Sequence, residues 1–383
     1  MPTLLYMPWC PIDKEYNAGA VSLVPFRRDR SLEGLNQQEN LQIRNALGNC
    51  VDPLGEPVGA AALVRFGDRS LFADLSDEEI EAVHDCLSLA AFAGMANREL
   101  FRQHGAYCNA DCFNLIAQVF GGGGIVTLTA RRREGRALDC YLADAIRFSM
   151  PLHVRQVRSV LLDQDVLSAL CRLREGHPDD QWPRWQNAIS CFNWANTDSE
   201  TASAQMEGVL MSSAFERILD AKPKAKEVAG KFARAIAPSS EILVRNAKRR
   251  GNQWEEETSL RYQWIREFYG LRGQYAHGRL MPQRPAVWRP LEHLVLASIA
   301  FPLLVKSLLQ EKGEYQPTVS DLAQTDSFEA LADQHFLSPP DNQAHSEDSV
   351  WGRILEERTL SVLSRQMAQD PQWIAFIRGG GQS

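Results

Sequence analysis

A run of 19 residues, LEHLVLASIAFPLLVKSLL from Leu291 to Leu309, is the most apolar in the chain and limits what the chain can fold into. A membrane span needs roughly 20 predominantly apolar residues. This run carries Glu292, His293 and Lys306 and holds Pro302, so it reads as a buried, Pro-kinked helix of a bundle rather than a span. A helix that is apolar all round must be enclosed by other helices. The sequence ahead of it supplies them. Helical periods run over Gln164–Arg174, Trp182–Ala195, Ser199–Leu219, Lys224–Ala237 and Glu255–His277, with no strand pattern between them. Asp198 and Ser199 are the expected N-caps of the third, whose apolar face holds Met206, Val209, Leu210, Ala214, Phe215, Ile218 and Leu219.

The first 150 residues have a different texture. Short β-prone runs at Leu4–Met7, Val21–Pro25, Ala61–Phe66 and Ile125–Ala130 flank one clear helix, which opens on the capping-box pair Ser76 and Glu79 and continues as IEAVHDCLSLAAFAGM. The expected fold class is an α+β N-terminal domain over residues 1–150 followed by an all-α bundle over 151–312, mainly α overall. The rest, 313–383, reads as a linker followed by an amphipathic C-terminal helix over Val350–Ala368, with the polar, Pro-bearing LSPPDNQAHSEDS ahead of that helix.

Eight cysteines spread over 383 residues, without a dense framework, fit reduced thiols. The N-terminus has no basic segment ahead of its short apolar run, so no secretory signal is expected and the location expected is cytoplasmic, without a membrane. A net charge of −7 argues against a general nucleic-acid coat. The charge is uneven, however. From Ala221 to Arg250 nine Lys and Arg face two Glu, a local charge of +7 that leaves −14 on the remainder. Such a segment is a solvated helix face or a docking surface for phosphates.

Several motifs dissolve on inspection. Gly121–Gly124 is followed by no GK[ST], so it lacks the lysine and hydroxyl of a phosphate-binding loop and reads as a turn. His104, Cys108 and Cys112 share four-residue spacing, but no further Cys/His pair completes a metal site, and buried thiols are the simpler reading. The basic run ARRREGR, Ala130 to Arg136, reads as a solvated turn, with RNA contact as the second reading. No serine-hydrolase, zincin or dinucleotide motif is present, and neither a metal nor another cofactor is expected.

What remains is FYGLRGQYAHGRLMP, Phe268 to Pro282, with Arg272 and His277 five residues apart at the end of a long amphipathic segment. Spacing alone does not select this pair, because Arg98/His104, Arg147/His153 and Arg172/His177 have similar spacing. Context does: Gly278 suits a left-handed helix cap and Pro282 bars continuation. The bland reading has His277 capping carbonyls and Arg272 pairing with a surface acid such as Glu267.

The stretch LRGQYAHG resembles the R-x4-6-H signature of HEPN domains, and together with the helix QMEGVLMSSAFERIL it is similar to the ApeA-like branch of that family. The resemblance covers residues 151–312, and the N-terminal part looks like the accessory or sensor domain such proteins carry. It implies a HEPN-like helical bundle that dimerises so that two motifs meet in one cleft. It also implies, for many members, metal-independent endoribonuclease activity in toxins or antiviral, abortive-infection effectors cutting tRNA or mRNA. The match falls on Arg272 and His277, while Gly273 stands where the family often has a polar residue. The alternative is a catalytically silent HEPN-like module that binds RNA, a nucleotide or a protein, with a regulatory partner or trigger acting through the N-terminal domain.

The chemistry is consistent with that implication. Cleaving RNA by attack of the ribose 2′-hydroxyl requires a base, an acid and a cation for the phosphorane charge. His277 titrates near neutrality and Arg272 offers a planar fork to phosphate oxygens. Five positions along a helix turn a side chain by roughly 140° relative to the first, so the final turn unwinds or a second copy completes the site. Lys248, Arg249 and Arg250, just ahead of the catalytic helix, are expected to guide the RNA backbone.

Overall fold

The computed structural model describes residues 2–101, 106–121, 125–142, 145–155, 157, 159–176, 181–276, 286–337 and 349–369. It divides into two compact units, Met1–Glu99 with Gly105–Pro178 and Asn196–Ala202, and Leu100–His104 with Asp179–Ala195 and Ser203–Ser383. The boundary expected at residue 150 therefore falls inside the first unit.

The first unit is built on an antiparallel sheet. Its strands are β1 (Thr3–Met7), β2 (Tyr16–Ala18), β3 (Val21–Arg27), β5 (Ala60–Phe66), β6 (Phe72–Ala73), β7 (Ile116–Phe120), β8 (Ile125–Arg132) and β9 (Gly135–Leu142). The order is β2-β3-β5-β1-β7-β8-β9, with β6 also pairing β1, while β4 (Cys50–Val51) and β10 (Phe148–Ser149) form a separate parallel pair. Strand β1 is buried at all five positions because both its neighbours and both its faces are covered. All four expected strands are present.

Helix α1 (Gln37–Gly48) was not legible as a period, but α2 (Asp77–Ala96) begins on the expected capping box, with Ser76 and Glu79 bonded reciprocally. Gly94 of α2 lets the Phe113 ring approach closely: a Cβ there would meet it at 2.8 Å. Helix α3 (Gln164–Gly176) belongs to this unit, not to the bundle. Cys108 and Cys112 do not share a helical face: residues 106–109 are not helical and a short 3-10 turn spans Ala110–Phe113. Both are buried, and burial pushes the Cys112 thiol up to about 12. His104 lies outside the described residues, as do residues 122–124 of the glycine run.

The second unit is helical: α4 (Trp182–Trp194), α5 (Ala204–Ile218), α6 (Ala225–Ala235), α7 (Leu260–Ala276), α8 (Pro290–Glu311), α9 (Val319–Ala332) and α10 (Val350–Gln369). Phe215 sits at its centre, ringed by Phe301, Phe232, Trp264 and Phe268 at centroid distances of 5.3, 5.6, 6.1 and 6.2 Å. The apolar run forms α8, long and apolar enough to cross a membrane, yet 67% of its most apolar window is buried within the structure. Helix α5 starts later than expected, capped by Ser203 rather than Asp198 or Ser199, and Asp198 instead takes a left-handed φ of 57°. Helix α7 likewise begins at Leu260, because residues 255–259 form a turn closed by Thr258 N–H to Glu255 C=O.

Helix α9 has no apolar period legible in the sequence because its buried face carries paired acids. Asp321 accepts from Lys306 at 2.6 Å and from Tyr315 at 2.7 Å, and Glu329 accepts from Arg261 at 2.8 Å.

Candidate active site

Arg272 stands four residues before the end of α7, and two side chains fix it. Glu216 reaches it from the C-terminal turn of α5, placed by its neighbour Phe215, which is locked in the aromatic core. Tyr269 lies three positions before Arg272 on the same helix, the spacing at which helical side chains meet. Arg272 Nη1 donates to Glu216 Oε2 and, at 2.6 Å, to the Tyr269 hydroxyl oxygen, while that hydroxyl donates to the same carboxylate oxygen. The guanidinium also sits 5.4 Å from the Tyr269 ring centroid, within cation–π range. Burial pushes the Tyr269 phenol up to about 12, and its bond to Glu216 adds to this, so the hydroxyl stays protonated as a donor.

The cluster is half-buried, with 29% of the Arg272 side chain and 21% of the Glu216 side chain exposed. Among the described residues, Nη2 and Nε of Arg272 make no hydrogen bond. One edge of the guanidinium is thus committed to Glu216 and Tyr269, and among the described residues Nη2 and Nε are not. Cys191 of α4 lies near the positive charges of Arg217 and Arg272, although burial is the larger influence and raises its thiol.

Glu267 is not the partner of Arg272. Its carboxylate accepts from the backbone N–H groups of Val287 and Trp288 at 2.9 and 3.1 Å and lies 3.3 Å from Nε2 of the buried His293. His277 lies outside the described residues, as do residues 278–285. Gly273 is exposed and a Cβ there would meet nothing within 4 Å, so the position has room for a side chain.

The basic triplet splits. Lys248 and Arg250 are exposed, but Arg249 is buried and does not face solvent, contrary to its expected RNA-guiding role. Its guanidinium forks onto Glu292, with Nη1 to Oε1 at 2.9 Å and Nη2 to Oε2 at 3.0 Å, and donates further to the carbonyls of Gln334 and Val287. The backbone N–H groups of Lys248 and Arg249 both donate to Asp333, at 2.7 and 2.9 Å, which turns the middle residue of the run inward.

The other three Arg/His pairs offer less. Arg147 bonds Asn49 at 2.6 Å and His153 bonds Asp111 at 2.7 Å, each with its own partner, while His104 and His177 lie outside the described residues. Sequence reasoning missed Glu216 and Tyr269 as site residues. The i to i+3 spacing of Tyr269 and Arg272 was a local signal, whereas nothing near Glu216 in the sequence announces a partner 56 residues away. Among the described residues, no group of three or more His, Cys, Asp and Glu could hold a metal ion. No protein-family model matches the chain, and no curated protein or solved structure is significantly similar to it.

Proposed function

We propose that the chain is a metal-independent endoribonuclease of the HEPN type, a toxin or antiviral effector whose site is completed across a homodimer. The observation that carries the reading is the divided guanidinium of Arg272, held on one edge by Glu216 and Tyr269 with Nη2 and Nε left for a phosphate oxygen. A cation pre-oriented in this way stabilises charge that develops on the phosphorane without reorganising at the moment of reaction. His277, five residues on, supplies the proton transfer: one copy takes the 2′-hydroxyl proton and the other protonates the leaving 5′-oxygen.

The test is cleavage of a mixed tRNA and mRNA pool by wild type and His277→Ala, both verified as folded, in EDTA. Expected products carry 2′,3′-cyclic phosphate and 5′-hydroxyl ends, and the variant makes none. Cleavage that survives His277→Ala, or that proceeds unimpaired in a strictly monomeric species, rules the composite site out.

Neutralising Lys248 and Arg250 is expected to flatten the salt dependence of RNA binding by about 1.4 log units per log unit of salt, roughly 0.7 for each single-strand phosphate that no longer meets a cation. Arg249 contributes nothing to that slope because it is buried against Glu292. An unchanged slope returns both lysine and arginine to the solvated surface.

A second reading has its own support. Glu216 already neutralises Arg272, which suits a silent module that binds RNA or a protein without cutting. Binding without cleavage in the same assay would favour it.

A further inference from the structure

The end of α4 lies beside the Arg272 cluster and is not used by it. Phe192 of α4 stacks on Phe301 at 4.8 Å, and Phe215 of α5 meets the same ring edge-on at 5.3 Å. Arg184, near the start of α4, pairs at 2.7 Å with Asp220, just past the end of α5, so the two helices run antiparallel. Cys191, next to Phe192, is therefore brought near Glu216 and Arg217, the two residues that follow Phe215. Burial raises the Cys191 thiol, and the charges of Arg217 and Arg272, in that order, pull against it. Two guanidinium groups thus lie within electrostatic reach of one buried thiol.

The two cations differ. Arg272 is half-buried and tied to Glu216 and Tyr269. Arg217 is exposed, and among the described residues its side chain has no hydrogen bond or ion pair. Its place in the last turn of α5 suits the helix dipole, which accounts for the charge but not for what stands near it. Trp194 ends α4 three positions after Cys191, the spacing at which helical side chains meet, and a long side chain there leans back over the preceding turn. The Trp194 side chain is left in water, at 62% exposure, and stacks on no ring among the described residues. Tryptophan is highly buried on average, and Trp185, Trp264 and Trp288 are fully enclosed here.

We infer that Trp194 and Arg217 form the strand-binding side of the Arg272 site, where Trp194 stacks on an unpaired base of single-stranded RNA and Arg217 meets a phosphate beside the one at Arg272. Resting on the cleavage reading of Arg272, this arrangement adds a substrate class to it. The bases of a duplex are stacked on one another and leave no face for an indole, whereas an unpaired base offers one. Cations combined with an aromatic platform are what hold a single strand without reading its sequence. Singly exposed apolar residues are ordinary on a protein surface. An exposed indole one helical step from a thiol that feels two guanidinium charges is not.

The test is fluorescence anisotropy of the full chain with a labelled 2′-O-methyl RNA strand of mixed sequence and about 12 nucleotides, alone and annealed to its complement, in EDTA. The methyl group blocks attack by the 2′-oxygen, so binding is read whether or not the chain cuts RNA. Wild type should prefer the single strand. Trp194→Ala should weaken that binding roughly 5- to 150-fold, the range for losing one stacked base, and leave the duplex unaffected. Trp194→Phe should keep most of the affinity, which separates loss of the ring from a disturbed helix end. Arg217→Gln should flatten the log–log salt slope by about 0.7, one phosphate contact on a single strand. Both side chains are solvated, so neither the thermal midpoint nor the molecular mass in solution should move. A duplex bound as tightly as the single strand, Trp194→Ala binding as wild type does, Trp194→Phe failing as badly as Ala, an unchanged slope in Arg217→Gln, a variant that alters the oligomer instead of RNA affinity, or no binding by wild type overturns the strand site. Failure of the cleavage reading shows separately: wild type then makes no 2′,3′-cyclic phosphate ends from unmodified RNA, while the binding differences stay as they are.

Discussion

Replacing Arg249 with alanine is expected to destabilise the helical unit by about 3–5 kcal/mol, the range for removing one partner of a buried ion pair. Among the described residues the pair is as enclosed as any: 4% of the Arg249 side chain and none of the Glu292 side chain is exposed. Without the guanidinium, the partners left to the Glu292 carboxylate among the described residues are the Arg289 N–H at 2.8 Å and the Arg289 side chain at 3.6 Å. The carbonyls of Val287 and Gln334 lose the same donor. Substituting both partners, Arg249→Met with Glu292→Leu, is expected to recover most of the loss, because an apolar pair of similar volume incurs no ionic desolvation.

The pH dependence has a definite sign. Burial alone would raise the Glu292 carboxyl, but its bonds from Arg249 and Arg289 prevail and hold it below the usual carboxylate range. A depressed carboxylate stabilises the fold fully above its unfolded pKa, about 4.3, and the contribution is lost as pH falls through the lower folded value. The double variant should therefore be less acid-sensitive than wild type in denaturant titrations. An Arg249→Ala protein with the wild-type midpoint would mean that the guanidinium is not held in the core.

The same arginine marks where sequence reading stops. In AKRRG nothing distinguishes Arg249 from its two exposed neighbours, since its acid lies 43 residues along the chain and its turn is set by Asp333. Helix α9 was hidden for a related reason: beside Ala323, Phe328 and Leu331 its buried face carries Asp321, Asp326 and Glu329, which count as polar in any periodicity and are buried against partners such as Lys306, Ser239 and Arg261. Where one face is simply apolar the reading succeeds. The alternation of VSLVPFR, the capping box ahead of α2 and the stripe through Phe215 each name an element from local chemistry alone. Arg272 was singled out because a glycine and a proline follow its segment in the sequence. Its setting on Glu216 and Tyr269 depends on how α5 packs against α7, which local sequence does not encode.

That setting gives the cleavage reading its most discriminating test. Arg272→Ala is expected to lower kcat by about 10²–10³, as when a pre-oriented charge-stabilising donor is removed elsewhere. The cost in folding should stay near about 1 kcal/mol, because the pair is partly solvated and Tyr269 still donates to Glu216. Arg272→Lys should be nearly as inactive. An ammonium has three donors on one atom, so it cannot hold Glu216 and Tyr269 as Arg272 does and also present a planar pair of donors to phosphate. Glu216→Gln separates the remaining alternatives, since it releases the guanidinium from its carboxylate without changing the side chain's size. If Arg272 acts in catalysis, the variant should bind RNA more tightly yet turn over more slowly, lowering KM and kcat together, because the fork gains charge and loses its orientation. A silent module predicts tighter binding with no cleavage in either protein. An arginine that merely ties α7 to α5 predicts a small loss of stability and no change in RNA affinity.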